Sequence, residues 1–489
     1  MNRQITRVAV IAMVLLAALI LGTTYWQAWA APGLADRQDN SIQRVAEFQI
    51  DRGKIIAGDG TTVLADNMKR KVDGKDLFFR RYPQHGLAAH TVGYSTTVRS
   101  RAGLEASQND FLTGSNTNLS TVLDTTFDKL KGTTIQGNDL HLTLQPDAQR
   151  VALNALGGKC GAAVAIEPKT GRVLVAVSSP TYDPNLIEGN YEEASKPKFG
   201  CPPLLNRATA GLYTPGSTFK VVTASAALDS GRFTPSSTFY DPGYCIEYGD
   251  RVNNYDTSSP FGTVTLAQAM QHSINSVFCN IGKALGGLRI VSKMKRFGFY
   301  SVPPLETPVN ERAISGLYNN KGRLVDPKSE SQVDPGRLAF GQGPETGEPR
   351  LTPLQMAMVA ATIANGGVVP RPYVVERVVG PDGSEVTATK PDTLGRAVGA
   401  NHAAETARMM EAVVQGGTGT AAQIPGIRVA GKTGTAESGV EGTNTTSFMA
   451  FAPADDPRVA VAVILERQSG TGGTTAAPIA KQIMEALIR

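Results

Sequence analysis

The segment Tyr213-Thr-Pro-Gly-Ser-Thr-Phe-Lys220 sets a serine and a lysine three residues apart, at Ser217 and Lys220. On a helix that spacing places both side chains on one face. A serine hydroxyl is a poor nucleophile until a neighbouring base takes its proton, and a desolvated lysine can be that base. Moving a lysine from about 10.4 to about 7.5 costs roughly 4 kcal/mol of preference for the charged form, so the site must supply burial or a second cation. An isolated S-x-x-K is ordinarily helix surface. Here Pro215 and Gly216 end a loop immediately before Ser217, and an apolar helix is expected from Thr218 to Leu228. A second cluster, Ser273-Ile274-Asn275, falls between expected helices over 266–271 and 276–285. Ser273 is suited to relay a proton between Lys220 and an amine, and Asn275 to hydrogen-bond a substrate amide. Alone, Ser273 would read as a helix cap. A third, Lys432-Thr433-Gly434-Thr435, follows Val429-Ala-Gly431 on an expected strand. Lys432 and Thr433 suit a carboxylate, and Gly434 leaves room for a substrate at the strand edge. The backbone N–H groups of Ser217 and Thr435 are the expected oxyanion donors. Alone, this motif would be a solvated strand tip.

The elements that must hold these residues form an α/β unit of the α+β type over 156–489. Ala162–Ile166 and Arg172–Val177 flank Pro168-Lys-Thr-Gly171, a hairpin with suitable turn residues. Strands are also expected over 427–434, 447–452 and 458–465, and helices over 218–228, 266–271, 276–285 and 353–365. The economical arrangement is an antiparallel sheet assembled from both ends of the unit, with helices inserted between. Upstream, 49–155 reads as short strands broken by glycines, a pedestal without an acid/base pair. It closes with an alternating strand over 139–144 and a helix over 146–156 whose first turn holds Pro146. Residues 32–48 are polar and read as a linker.

The N-terminal 31 residues give the compartment. Arg3 and Arg7 precede an uncharged stretch from Val8 to Ala31, purely apolar to Leu21, with Tyr25, Trp26 and Trp29 placed as interfacial anchors. One spanning helix with its N-terminus inside is expected. The alternative is a cleaved signal peptide, with Ala28-Trp29-Ala30 as a small-x-small site. Either sends the rest of the chain across the membrane, where disulfides form.

With 48 Lys and Arg against 43 Asp and Glu, the net charge is +5 over 489 residues and is not gathered into basic runs. No nucleic-acid partner is expected. The four cysteines fit neither a zinc spacing nor C-x-x-C, so no metal or other cofactor is expected. Cys245, in a strand-like segment, and Cys279, in the helix after the Ser273 cluster, are the preferred disulfide pair; free buried thiols are the alternative.

S-x-x-K, S-x-N and K-T-G in this order are the signature of penicillin-binding proteins and β-lactamases. The chain resembles class B penicillin-binding proteins, and within them the actinobacterial A type. The likeness extends to Asn206-Arg-Ala208, Ala339-Phe-Gly-Gln-Gly343 with Leu351-Thr-Pro-Leu-Gln355, and Ser447-Phe-Met-Ala-Phe-Ala-Pro453. In the pedestal it rests on Arg52-Gly-Lys-Ile55 and Gly103-Leu-Glu105, although Asp51 and Ala57-Gly-Asp-Gly60 depart from the family pattern. The resemblance implies a peptidoglycan D,D-transpeptidase. Such an enzyme is acylated at the penultimate D-Ala of a stem peptide, releases the terminal D-Ala, and passes the acyl group to an amine of a neighbouring strand. It also implies inhibition by β-lactams and a separate membrane glycosyltransferase as partner. A D,D-carboxypeptidase differs only in the fate of the acyl-enzyme. A β-lactam-binding sensor would need a cytoplasmic output element, and a β-lactamase is ordinarily smaller and carries a deacylating glutamate. The pedestal favours cross-linking by analogy of fold.

Overall fold

The computed structural model describes residues 2–25, 47–72, 74–115, 135–255, 259–437 and 441–488. Trp26, Trp29, the Ala28–Ala30 site and nearly all of the 32–48 linker lie outside the described residues. Helix α1 (Asn2–Thr24) is long and apolar enough to cross a membrane, and none of it is buried against the rest of the protein. Its polar flank and apolar body match the expected anchor segment.

The pedestal is built on β1 (Ile55–Ile56), β2 (Val63–Val72) and β3 (Lys75–Arg81), joined antiparallel in sequence. The short helix α2 (Gly103–Ser107) carries Glu105, whose wholly buried carboxylate accepts from Arg52 Nε and Arg80 Nε, each at 2.7 Å. Further acceptors offset part of the cost of burying two arginines on one carboxylate: Arg52 reaches Asn109 Oδ1 and the Glu105 carbonyl at 2.6 Å each, and Arg80 Nη1 reaches Asn67 Oδ1 at 2.9 Å. Strand β4 (Asp139–Leu142) then runs parallel to β1.

Helix α3 (Pro146–Leu156) leads into the hairpin β5 (Gly161–Ile166) and β6 (Val173–Ser179). A 3₁₀ turn over Gly216–Phe219 runs directly into α4 (Lys220–Asp229). The hairpin β7 (Tyr244–Glu247) and β8 (Asp250–Asn253) precedes α5 (Leu266–Gln271) and α6 (Asn275–Leu285). After α7 (Pro353–Ala364) the chain returns to the pedestal. There β9 (Val375–Val379) pairs antiparallel with β4, and β10 (Glu385–Ala388) pairs with β9. The pedestal sheet therefore has the order β10-β9-β4-β1-β2-β3. It draws two of its six strands from beyond residue 156, which local periodicity did not indicate.

Helix α8 (Ala400–Gly416) leads to β11 (Ala430–Glu437), β12 (Asn444–Ala452) and β13 (Val459–Gln468), and α9 (Gly472–Ile488) ends the described chain. The central sheet is antiparallel throughout, in the order β11-β12-β13-β5-β6. It is thus assembled from both ends of the unit, as expected. Period-two alternation sorts its side chains. Ala162, Val164, Ala460 and Ala462 face the cluster shared with α4, α6 and α7, whereas Ala163, Ala165, Val461 and Val463 face α3 and α9. Helices cover both faces, so the strands read as continuous apolar runs. The first cluster continues into the pedestal through Ile55, Leu104 and Leu140.

Strand β11 begins three residues later than expected and extends to Glu437, so Lys432–Thr435 lies within a strand instead of at its tip. This is the edge strand of the sheet.

Candidate active site

Ser217 sits in the 3₁₀ turn and Lys220 opens α4. In a 3₁₀ turn residues i and i+3 eclipse, and Lys220 Nζ lies 3.0 Å from Ser217 Oγ. The turn is pinned from three sides. Tyr213 exchanges backbone hydrogen bonds with Leu351 at 2.9 and 3.0 Å, Gly216 N donates to Gly341 O at 3.1 Å, and Thr218 Oγ1 donates to Pro215 O at 2.9 Å.

Ser273 lies between α5 and α6 with φ of 60°, a left-handed conformation uncommon for serine. That bend turns both of its oxygens onto Lys220: Nζ is 2.6 Å from the Ser273 carbonyl and 3.2 Å from its Oγ. Ile274 is the residue that precedes α6, with no side-chain cap, so Ser273 does not cap the helix. Asn275 forms the first residue of α6 and not part of the connecting turn; its Oδ1 accepts from Lys220 Nζ at 2.7 Å and its Nδ2 donates to Asn253 O at 3.1 Å. Burial pushes the Lys220 ammonium well below the ordinary lysine range, and the positive field of Lys432 adds to the effect. A neutral amine has two N–H donors and one lone pair. Its two shortest contacts, the Ser273 carbonyl and Asn275 Oδ1, can only accept. In the neutral form they take its two protons, which leaves the lone pair for the Ser217 O–H.

Lys432 Nζ lies 2.9 Å from Ser273 Oγ and 3.0 Å from Thr433 O. It is wholly buried, and burial lowers its pKa to about 7. Ser273 Oγ thus stands between two buried lysine amines. Thr433 Oγ1 is 2.6 Å from Thr418 Oγ1. Thr435 Oγ1 accepts from Gly472 N, at the start of α9, at 3.2 Å. Gly434 meets a packing constraint as well: a Cβ there would lie 2.2 Å from Ser447 Oγ and 2.6 Å from Pro215 O, so its bare backbone admits the Ser217 loop.

A cleft of about 820 Å³ opens over this array, lined by Ser217, Ser273, Asn275, Thr433 and Thr435, with Thr418 among its further walls. Lys220 and Lys432 lie beneath the floor. The geometry fits an acyl group held against Ser217, with a proton route beneath it and donors for an anion beside it.

Several positioning residues carried no local signal. Glu466, near the end of β13, accepts from Tyr213 OH at 2.8 Å and from the buried Arg207 Nε at 2.9 Å, tying the Ser217 loop to the sheet. Asp241, fully buried, accepts from Ser276 Oγ at 2.5 Å, Asn254 Nδ2 at 2.9 Å and Phe261 N at 2.9 Å, fixing the β7–β8 wall against α6. The Cys245–Cys279 disulfide fastens the same wall, in the preferred pairing, and Cys160 bonds Cys201. Glu466 approaches the second pair, but bonded sulfurs hold no metal.

The sequence matches the penicillin binding protein transpeptidase domain over residues 161–485 and the penicillin binding protein A dimerisation domain over 52–140. The chain belongs to the penicillin-binding protein family. It is 35% identical over 512 residues to the peptidoglycan D,D-transpeptidase PbpA of Mycolicibacterium smegmatis, covering 100% of this chain and 99% of that protein. The Mycobacterium tuberculosis protein of the same name is 35% identical over 520 residues, with the same coverage. Among solved structures, the ceftriaxone acyl-enzyme complex of penicillin-binding protein A from M. tuberculosis superposes with a TM-score of 0.80 at 32% identity. That match covers 91% of this chain and 100% of the other. This penicillin-binding protein therefore has the transpeptidase fold of its family, preceded by the dimerisation-type pedestal.

Proposed function

We propose that this penicillin-binding protein is a membrane-anchored peptidoglycan D,D-transpeptidase that works through an acyl-enzyme on Ser217. The observation that carries the assignment is the hydrogen-bond set of Lys220, a buried amine whose two best acceptors leave its lone pair on Ser217 Oγ at 3.0 Å. Lys220 takes the hydroxyl proton as Ser217 Oγ attacks the carbonyl carbon of the penultimate D-Ala. The backbone N–H groups of Ser217 and Thr435 hold the oxyanion; in acyl-transfer sites one such donor is worth about 10²–10³ in rate. As the tetrahedral intermediate collapses, the peptide C–N bond breaks and Ser273 passes the proton from Lys220 to the departing D-Ala nitrogen. An acceptor amine then attacks the ester, the proton returns by the same path, and Ser217 is regenerated with a new peptide bond formed. Thr433 and Thr435 bind the substrate carboxylate over the positive charge of Lys432 beneath the floor, Asn275 orients the base and faces the acyl amide, and Gly434 permits the packing that aligns them.

The reading extends to the surroundings of the site. Helix α1 anchors residues 1–31 with the catalytic unit outside the cytoplasm, consistent with two disulfides. Residues 49–155, completed by β9 and β10, hold the site above the bilayer. A membrane glycosyltransferase supplies the glycan strand.

The test is labelling by penicillin followed by peptide mass spectrometry. Adduct on Ser217, none in a folded Ser217→Ala variant, and amine-capped product from a D-Ala-D-Ala donor are expected. Label retained in the alanine variant would remove Ser217 from the mechanism.

A further inference from the structure

Thr418 belongs to none of the three motifs, yet it stands where they converge. Its hydroxyl is 2.6 Å from that of Thr433, and both residues line the cleft. Its backbone N–H lies 3.4 Å from the carbonyl of Gln271, at the end of α5 and two residues before Ser273. Its own carbonyl lies so near the start of α9 that a Cβ on Gly473 would come within 2.3 Å of it. Thr418 is therefore clamped between α5 and α9 with its side chain presented to β11.

We infer that Thr418 is a positioning residue for the substrate carboxylate, holding the Thr433 hydroxyl in the orientation that donates into the cleft. Thr433 Oγ1 has Lys432 Nζ on one side, at 3.4 Å, and Thr418 Oγ1 on the other. A hydroxyl has one proton and two lone pairs. Either hydroxyl of the pair can donate; we assign the donor role to Thr418 and take Lys432 as the three-donor ammonium, which leaves the Thr433 proton only the open cleft to point into, where a carboxylate suits it. Without Thr418 that hydroxyl is free to rotate, and its proton is no longer committed to the ligand. The inference deepens the proposed transpeptidase reading and rests on it.

The experiment measures acylation of the full-length protein by penicillin G and by its methyl ester, which lacks the anion. Thr418→Val is expected to slow acylation by penicillin G about tenfold, the loss typical of a hydrogen bond to a charged group, while leaving the ester unchanged. Thr418→Ser should restore the acid-over-ester preference. Thr418→Ala, which removes the hydroxyl without adding a methyl group, should behave as the valine variant and covers the case in which valine disturbs folding. Equal losses for acid and ester, or no loss for either, overturn the role of Thr418. Failure of the wild type to be labelled at Ser217 overturns instead the reading on which it rests, so the two failures are separable.

Discussion

Replacing Asn275 by aspartate tests the base directly, because it changes the charge next to Lys220 with almost no change in shape. Asn275 Oδ1 lies 2.7 Å from Lys220 Nζ. At that separation a unit negative charge stabilises the ammonium by about 6 kcal/mol with an effective dielectric of about 20. The amide oxygen it replaces already carries part of that charge, and the half-buried carboxylate loses some hydration of its own. Halving the figure leaves about 3 kcal/mol, or about two pKa units. The sign is upward, since a carboxylate favours the charged form, and the protonated lysine cannot accept the Ser217 proton. Asn275→Asp should therefore displace the penicillin acylation profile by about two units toward alkaline pH, acylating more slowly below the displaced pKa and regaining its rate above it. Asn275→Ala removes the same acceptor without adding charge and should lose rate without that alkaline displacement. Stopped-flow acylation from pH 6 to 10 resolves the two profiles. Coincident profiles for the wild type and Asn275→Asp would refute the neutral-lysine mechanism.

Thiol counting in denaturant without reductant should find none of the four cysteines free. Removing the Cys245–Cys279 bond as a paired serine variant should cost about 3–4 kcal/mol, the loop-closure value for a separation of 34 residues, read from denaturant unfolding; unchanged midpoints would refute that. A fragment beginning at residue 157 removes β4 and leaves β9 as a bare edge. It should unfold at a lower temperature and aggregate more readily than one beginning near residue 137, and equal behaviour would show that β4 contributes little to the catalytic unit.

The sequence was most legible where chemistry depends on local spacing. Ser217 and Lys220 are neighbours through one turn of helix, so their meeting follows from separation alone. The hairpin of β5 and β6, the strands of the central sheet and the helices between them follow from apolar runs and their punctuation. What could not be read locally is pairing at a distance. Strands β4 and β9 are joined through Leu142 with Val375 and Leu140 with Val378, and nothing in either segment specifies the other. The pedestal therefore looked like a closed unit ending at residue 155. Glycine 434 illustrates a subtler limit. The residue was singled out correctly as a place where something approaches the strand, but only the packed structure shows that Pro215 and Ser447 make the approach.

The same limit governs Ser273. An S-x-N turn between two helices allows a cap or a relay, and the two differ by a backbone rotation that sequence does not encode. Its φ of 60° turns the carbonyl and the hydroxyl together onto Lys220 and sets that hydroxyl 2.9 Å from Lys432. A conformation of this kind costs a non-glycine residue of order 1–3 kcal/mol and persists only where its surroundings over-determine it. Those surroundings include Asp241 and the Cys245–Cys279 bond, which hold α6, and the clamp of Thr418 on the end of α5. Residues outside the three motifs thus keep Ser273 strained, and the strain keeps one hydroxyl between two buried amines, the position that the proposed proton relay of acyl transfer requires.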